Sequence, residues 1–412
     1  MIVDPLARGL AAGLRLGRIV DHCNETTPAV AGKCGRNAVF CCMAPNPVCN
    51  RHDQGRAGWL CGNPRIPKAA IGEGYIMAGM PPTLNQFIRA RQEDYPEAIG
   101  EFSQVMNAIA LGGKLISREI NLAGLVDATG YTGRTNVQGE EVARLDEWSN
   151  DLLVDLLGET GCVCVMGSEE VEKPIVPPES ASDGRYAVLF DPVDGSSNID
   201  IAAPIGTIFS IQRRVTKSGL GHLEDLLQPG KNQAAAGYIL YGSSTMFVYT
   251  TGRGVHAFTL DPTMGEFHVT TENLEFPEKS NVYSTNEGNA GTWLEPDVQW
   301  VEWIKQSDPG TDRPYSARYI GALVADFHRI LLKGGIFAYP GNTASPNGKL
   351  RLLYECSPMA FIAEQAGGAA TNGTKRILDI EPSELHGRTP FYIGSAREVE
   401  LIGRFHEGEG PG

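Results

Sequence analysis

Two apolar runs end directly in pairs of acidic residues, and this feature constrains the fold more than any other. The run at 162–166 leads into Glu169 and Glu170, and the run at 186–190 leads into Asp191 and Asp194. Like charges crowded into a partly buried place destabilise the fold or raise the pKa values of the carboxyl groups. A divalent cation bound to their oxygens removes that cost. The pattern predicts two buried strands whose ends share a metal site.

The ligand types favour a hard cation. Carboxylate oxygens with no His or Cys close by in sequence suit Mg²⁺ or Mn²⁺ better than zinc. Pro192 is predicted to fix a turn that lets Asp191, Asp194 and the Val193 carbonyl oxygen face one ion. The segment therefore supplies a set of oxygen ligands.

The residues that follow suit an anion. Gly195 permits close backbone approach, and Ser196 and Ser197 stand at a predicted helix start, where hydroxyl and amide donors can hold a phosphate. The structural alternative for this segment alone is an Asx turn followed by a helix N-cap. The acidic pair Glu169 and Glu170 just upstream favours the metal and phosphate interpretation.

Two further acids are ambiguous from the residues alone. Asp146 lies on a predicted amphipathic helix, where an acid is usually solvated. Glu355 could be a first-turn helix acid that interacts with the macrodipole. Their sequence context predicts a surface role as readily as a catalytic one.

The rest of the ordered part predicts a mixed α/β chain. Apolar residues recur at helical spacing in 99–110 and 142–156, and helices are also predicted at 324–332 and 353–365. Short apolar runs bounded by Gly, Pro, Asp and Ser predict strands at 162–166, 186–190, 207–211, 237–241 and 246–250. The fold class is therefore α/β with large sheets.

Residues 1–80 lack sustained periodicity and are predicted to be a disordered or mis-translated extension, with Met77 or Met80 as the alternative start. A zinc site there is conceivable but lacks the usual paired spacing. Its candidate ligands are Cys34, Cys41, Cys42, Cys49 and His52.

Charge and hydropathy exclude some partners. The 412 residues carry a formal net charge of −14, which argues against nucleic acid and anionic membranes as partners. No apolar run approaches the ~20 residues that cross a bilayer. The cysteine usage of the main body is typical of a reduced, cytoplasmic protein.

The segment Asp191-Pro192-Val193-Asp194-Gly195-Ser196-Ser197-Asn198-Ile199-Asp200 resembles the signature of class I fructose-1,6-bisphosphatases. The resemblance runs from about Thr83 to Arg404. It continues through Gln228-Pro229-Gly230, Ala235-Ala236-Gly237-Tyr238, Leu260-Asp261-Pro262, Asn286-Glu287-Gly288, Ala317-Arg318-Tyr319-Ile320-Gly321, Gly334-Gly335-Ile336-Phe337 and Ser345-Pro346-Asn347-Gly348-Lys349-Leu350-Arg351-Leu352-Leu353-Tyr354-Glu355. Two departures are Asn289, where the family usually has Tyr, and Leu323, where Met is common.

The resemblance implies a layered α/β/α/β/α fold, as in the wider superfamily with inositol monophosphatases, and a homotetramer. It divides the chain into an N-terminal allosteric and metal-site half (81–275) and a C-terminal sugar-binding half (276–412). It also implies hydrolysis of fructose 1,6-bisphosphate to fructose 6-phosphate and phosphate, in gluconeogenesis or a related pathway.

Each site residue then acquires an implied role. Two or three Mg²⁺ ions, or Mn²⁺, are expected on Glu169, Glu170, Asp191, Val193, Asp194 and Glu355. Asp146 and Glu170 are expected to orient the attacking water and take its proton. Substrate contacts are expected from Asp194, Gly195, Ser196, Ser197, Asn286, Tyr319, Tyr339, Lys349 and Arg351, with Arg318 reaching a neighbouring subunit's site. Inhibition by AMP is expected through Ser103, Arg185, Tyr186 and Arg213.

Two other functions remain open at this point. A sedoheptulose-1,7-bisphosphatase would share the metal chemistry. A sugar-phosphate sensor without catalysis would be expected to lack one or more of the metal carboxylates, all of which are present.

Overall fold

The computed structural model describes residues 79–92, 100–122, 131–135, 141–177, 183–278 and 280–411. The predicted extension, apart from its last two residues, lies outside this part. So does the conceivable zinc site at Cys34, Cys41, Cys42, Cys49 and His52.

The described part forms helices and strands in a mixed order. The helices are α1 (Leu84–Gln92), α2 (Glu101–Leu122), α3 (Arg144–Glu159), α4 (Leu223–Leu226), α5 (Glu295–Lys305), α6 (Leu323–Lys333), α7 (Ser357–Gln365) and α8 (Ala396–His406). The strands are β1 (Tyr131–Thr135), β2 (Glu141–Ala143), β3 (Val163–Ser168), β4 (Tyr186–Asp194), β5 (Ile205–Arg213), β6 (Gln233–Tyr241), β7 (Thr245–Thr250), β8 (Val255–Asp261), β9 (Glu266–Thr271), β10 (Val282–Ser284), β11 (Ser316–Ala317), β12 (Ile336–Tyr339), β13 (Gly368–Thr371) and β14 (Phe391–Ser395).

The strands build two large sheets and a small ribbon. One sheet has seven strands in sequence order from β3 to β9, and only its first pair, β3 with β4, is parallel. The other has five strands in the order β11-β10-β12-β14-β13. Strands β1 and β2 pair as an antiparallel ribbon.

The helices and sheets stack in five layers. Helices α1, α2 and α3 contact the outer face of the seven-stranded sheet, while α6 and α7 contact both sheets and lie between them. Helices α5 and α8 pack against each other, and α8 covers the far face of the five-stranded sheet. This arrangement confirms the predicted α/β/α/β/α fold.

Both faces of the seven-stranded sheet are buried, as the alternation along its strands requires. On β5, Phe209 packs with the outer helices, whereas its neighbour Ile208 packs with the layer between the sheets. Ile239 and Tyr238 divide in the same way on β6. A sheet covered on both sides explains why its strands appear in the sequence as nearly continuous apolar runs.

The predicted helices and strands are found, with shifted ends. The segment predicted as one helix at 353–365 begins instead as a π-helical turn at Leu352–Cys356, which α7 continues from Ser357. In the described part, no helix is both long and apolar enough to cross a bilayer.

Candidate active site

The two acidic pairs meet because β3 and β4 are parallel neighbours, so their carboxyl ends lie at the same edge of the sheet. The amide of Glu169 donates to the Phe190 carbonyl oxygen at 3.1 Å, which ties the end of β3 to β4 just before Asp191. Glu169 is buried and Glu170 half-buried, with the Glu170 amide donating to Ser168 Oγ at 3.2 Å. The structure thus brings the ends of the two predicted strands together at one place.

A β-bulge aims Asp191 and Asp194 at the same place. Strand β4 does not end at Phe190 in a turn, as predicted, but runs on to Asp194, with a register shift against β5 between Asp191 and Asp194. In a regular strand, residues three apart point to opposite faces. One extra residue reverses that alternation for the second aspartate. The Val193 amide donates to Asp191 Oδ1 at 3.0 Å and fixes the bulge from within.

The third member of the cluster arrives from far along the chain. Glu355 lies in the π-helical turn and is buried, and its Oε2 accepts a hydrogen bond from the Arg351 amide at 2.6 Å. Carboxylate oxygens of Asp191, Asp194 and Glu355 all lie within 4.8 Å of one another. Glu355 is therefore not the surface acid that its sequence context equally allowed.

The cluster carries more negative charge than its surroundings balance. Burial, followed by the charge of Glu169, raises the pKa values of Asp191 and Glu355 well above their usual range. Burial also raises the pKa of Asp194 to about 7, although the amides of Val324 and Leu323 oppose the shift. Bringing these groups together without a cation therefore favours their protonation.

The Arg351 side chain neutralises part of the negative charge of these carboxylates. The guanidinium of Arg351 is buried and forms an ion pair with Glu169. Among the described residues, this ion pair sets one guanidinium against the buried carboxylates of Glu169, Asp191, Asp194 and Glu355, so negative charge remains in excess. An all-oxygen donor set with this excess fits hard divalent cations, so the residues present suit the metal that the sequence predicted.

A cavity of about 660 Å³ opens over the carboxylates. Asp146, in the first turn of α3, is buried and lines it, as do Glu169, Glu170 and Val193. The structure therefore places Asp146 with the acidic cluster rather than on the solvated face that a helical acid usually occupies.

The phosphate-binding residues lie beside the metal cluster. Ser196–Asn198 forms a single 3₁₀ turn, and Gly195, Ser196 and Ser197 line the cavity. Gly195 has a φ of 80°, and a Cβ there would lie 2.4 Å from the Ala322 side chain. Only glycine permits this close approach of the turn to the start of α6.

The predicted sugar-binding residues divide into two groups. Tyr319, Tyr339 and Arg351 line the cavity. Burial raises the pKa of the Tyr319 hydroxyl to about 12, and the nearby Asn286 side chain opposes part of this shift. Arg318 and Lys349 are exposed and do not line the cavity. The expected reach of Arg318 into a neighbouring site stays a prediction.

The amino end of α6 is a part of the site that the sequence analysis missed. The amides of Leu323 and Val324 donate to the two oxygens of Asp194 at 3.1 and 2.6 Å. Backbone donors carry no side-chain signature, so the helix predicted at 324–332 did not by itself reveal that its first amides belong to the site.

Known proteins resemble this chain over the residues that form the cavity. A family model described as the fructose-1,6-bisphosphatase N-terminal domain matches residues 82–272, and the corresponding C-terminal domain matches residues 276–407. A class 1 fructose-1,6-bisphosphatase of Chlorobium phaeobacteroides is 52% identical over 328 residues, which cover 79% of this chain and 98% of that protein. The chain belongs to the fructose-1,6-bisphosphatase family.

Other relatives agree with this assignment. The class 1 fructose-1,6-bisphosphatase of Pelodictyon phaeoclathratiforme is 53% identical over 327 residues, covering 79% of this chain and 98% of that protein. The holo crystal structure of Leishmania major fructose-1,6-bisphosphatase is 41% identical and superposes with a TM-score of 0.75, covering 79% of this chain and 99% of that chain.

The residues that the fructose-1,6-bisphosphatase resemblance assigns to an effector lie near the amino end of α2. That helix begins at Glu101, which forms an ion pair with Arg185 at 3.5 Å. Tyr186 is paired in register with Arg213 across β4 and β5, and its ring lies 6.2 Å from that of Phe102. Ser103 Oγ accepts a hydrogen bond from Gln92. The structure brings these side chains to one region, and AMP binding there stays a prediction.

Proposed function

We propose that this chain hydrolyses the 1-phosphate of fructose 1,6-bisphosphate, giving fructose 6-phosphate and phosphate. The observation that carries the proposal is the buried group of Asp191, Asp194 and Glu355 beside the Gly195–Ser197 turn in one cavity. Metal-binding carboxylates next to a phosphate-binding turn are the arrangement that metal-assisted phosphate ester hydrolysis requires. Membership of the fructose-1,6-bisphosphatase family supplies the substrate.

Divalent metal dependence follows from the family and fits the acidic cluster. We infer that the ions are Mg²⁺, two or three per subunit, with Mn²⁺ as a substitute. Glu169, Glu170, Asp191, Asp194, Glu355 and the Val193 carbonyl oxygen would hold them. Bound there, such ions neutralise charge on the phosphate and lower the pKa of the attacking water.

The protein's own side chains perform the remaining tasks. Asp146 and Glu170, which both line the cavity, orient the water and receive its proton. Ser196, Ser197 and the backbone of the turn hold the reacting phosphate by donated hydrogen bonds. These donors also keep the ester bond aligned with the water.

The far end of the substrate needs cations and neutral donors. Asn286, Tyr319, Tyr339, Lys349 and Arg351 would contact the sugar and its 6-phosphate. Because Arg318 is exposed, it is free to serve a neighbouring subunit in the homotetramer that we infer. We place the protein in the cytoplasm, with 81–275 as the metal-site half and 276–412 as the sugar-binding half.

Phosphate release from matched concentrations of fructose 1,6-bisphosphate and sedoheptulose 1,7-bisphosphate tests the proposal in the presence of Mg²⁺. We expect the higher kcat/KM with the fructose substrate, and no phosphate from fructose 6-phosphate as a control. Preference for the seven-carbon substrate would transfer the function to the alternative bisphosphatase. Absence of turnover with either would indicate a sensor.

A further inference from the structure

Asp326 is a buried carboxylate that takes no part in the proposed hydrolysis. It lies in the first turn of α6, between the two sheets, and its side chain is 0% exposed. Within the ranges that the structure describes, no Lys, Arg or His side chain forms an ion pair with it. Burial raises its pKa, and hydrogen bonds from its neighbours oppose that shift. A buried charge of this kind destabilises a fold unless its oxygens are well satisfied.

The oxygens of Asp326 accept hydrogen bonds from the distant Ser284 and from the loop just before α6. Ser284 Oγ donates to Oδ1 at 2.7 Å. The Ile320 amide donates to Oδ1 at 2.9 Å, and the Gly321 amide donates to Oδ2 at 2.9 Å. The Ile320 amide also lies 3.2 Å from Oδ2, so both carboxylate oxygens are engaged by the loop.

The segments held in this way carry the sugar side of the cavity. Ser284 ends β10 two residues before Asn286, and Ile320 directly follows Tyr319. Asn286 lies close enough to Tyr319 for its side chain to lower the pKa of the Tyr319 hydroxyl. One carboxylate therefore connects the backbone positions next to both side chains.

The same turn of helix holds the phosphate side. Leu323 and Val324, just before Asp326, donate their amides to Asp194. The Asn198 side chain donates to the Ile320 carbonyl oxygen at 3.3 Å, which links the phosphate-binding turn to the loop that Asp326 holds. The first turn of α6 is thus the place where both ends of the cavity are fixed relative to each other.

We propose that Asp326 is a positioning residue that sets the distance between the sugar-binding side chains and the metal and phosphate residues. The proposal rests on the proposed roles of Tyr319 and Asn286 in binding the substrate. Asp326 touches neither substrate nor metal in this account. Its carboxylate acts through the 320–321 backbone and Ser284, so its loss should weaken binding of the bisphosphate more than it slows the chemical step.

Asp326→Asn in the full chain tests this inference. Asparagine keeps the shape but has one acceptor oxygen, so one of the three donors faces an amide NH₂ group. We expect KM for fructose 1,6-bisphosphate to rise roughly tenfold while kcat falls less than about threefold. An unchanged KM in the folded variant would overturn the proposal.

Asp225→Asn is the matched control. Asp225 is also buried in a first helical turn, that of α4, and accepts the amides of Val215, Thr216 and His222 at 2.8 to 2.9 Å. It does not line the cavity. We expect this variant to lose thermal stability with an unchanged KM. An equal rise of KM in both variants would mean that general loosening, not positioning, causes the effect.

Two further variants separate the possible failures. Tyr319→Phe tests the substrate-binding role directly: if it raises KM and Asp326→Asn does not, the positioning role alone is wrong. If neither Tyr319→Phe nor Asp326→Asn changes KM, the substrate-binding role of Tyr319 and the positioning role of Asp326 are both wrong. Ser284→Ala removes one hydrogen-bond donor to Asp326 and should raise KM roughly twofold to threefold. If Asp326→Asn does not fold, an unchanged KM in the Ser284 variant would contradict the proposal.

Discussion

At the scale of single residues, Asp194 is the most constrained side chain of the site. Its two oxygens accept amides from α6 while it also belongs to the group of carboxylates suited to a divalent ion. The carboxylate of Asp194 therefore accepts hydrogen bonds from the first turn of α6 and is also a proposed metal ligand. Substituting it should affect chemistry far more than folding.

We expect Asp194→Asn to lower kcat by roughly 10³-fold with the fold intact, because the change removes a negative metal ligand. Asparagine still offers an acceptor to one of the two α6 amides. Steady-state phosphate release and circular dichroism would measure the two effects. Asp200→Asn, an exposed acid in the same segment, is the control and should retain full activity. Activity of the Asp194 variant within a few-fold of wild type would contradict its role.

The raised pKa of Asp194 predicts a pH dependence of stability in EDTA-treated protein. Its pKa rises from 3.8 to about 7 on folding, so between these values the folded state holds more protons than the unfolded state. The free energy of unfolding should therefore fall as pH rises from about 4 to about 7. Urea unfolding at pH 5.5 and 7.5 would measure this fall in the free energy of unfolding.

Asp194→Asn should reduce the difference in stability between the two pH values, and saturating Mg²⁺ should stabilise the wild-type protein more at pH 7.5 than at pH 5.5. A wild-type protein more stable at pH 7.5 without metal would oppose this explanation.

At the scale of elements, the bulge in β4 explains why the sequence placed Asp191 and Asp194 at one site but predicted their local structure wrongly. The apolar run up to Phe190 and the Asp-Pro-Val-Asp that follows suggested a strand and then a turn. The structure continues the strand, and one extra residue turns both aspartates to one face. Register against β5 is a nonlocal property, so the residues of β4 alone could not reveal it.

Thr207 on β5 supports this bulge from the neighbouring strand. Its Oγ1 donates to the Pro192 carbonyl oxygen at 2.7 Å and lies 2.8 Å from the Tyr241 hydroxyl, all in the buried interior. We expect Thr207→Val, which keeps the shape, to destabilise the protein by about 1–3 kcal/mol because buried polar groups lose a partner. The change should also reduce kcat, since the bulge carries two of the proposed metal ligands, Asp191 and Asp194.

Thr259→Val is the matched control for that change. Thr259 Oγ1 pairs with Thr270 Oγ1 at 2.6 Å near the surface, away from the cavity. Surface substitutions of this kind change stability by about 0.5 kcal/mol or less. Chemical denaturation of both variants would measure the contrast. Equal losses in stability, with full activity in the Thr207 variant, would remove the bulge from the account.

The residues on the sugar side of the cavity could not be predicted from local sequence patterns. Asn286 and Tyr319 follow two different strands, and Tyr339 ends a third. Their polar side chains carry no pattern that separates a ligand from a core hydrogen bond. They were predicted from the family resemblance alone. Asp326 was missed altogether, because an acid in the first turn of a helix is what the macrodipole already favours.

At the scale of the whole molecule, the layers separate the active cavity from the region around the amino end of α2. Ser103, Arg185, Tyr186 and Arg213 are predicted to bind AMP there, with donors and charge suited to a phosphate. Inhibition at a separate site must act through rearrangement of the molecule, so it should be noncompetitive with substrate and cooperative.

Arg213→Ala tests this prediction, because it removes a guanidinium donor at the phosphate end of the expected site. We expect the AMP concentration for half inhibition to rise at least about tenfold. Lys217→Ala removes the same charge from an exposed position nearby and should leave the inhibition curve unchanged. Identical curves for wild type and the Arg213 variant, or no inhibition of wild type at millimolar AMP, would remove these residues from a regulatory role.

We infer that the buried carboxylates at the ends of β3 and β4, together with Glu355, hold the divalent ions on which hydrolysis of the sugar bisphosphate depends. Phosphate release from fructose 1,6-bisphosphate, measured after EDTA treatment and during stepwise return of Mg²⁺, tests it most directly. The account predicts negligible release without the ion and saturable recovery as it is added. Release at an undiminished rate in excess EDTA would contradict it.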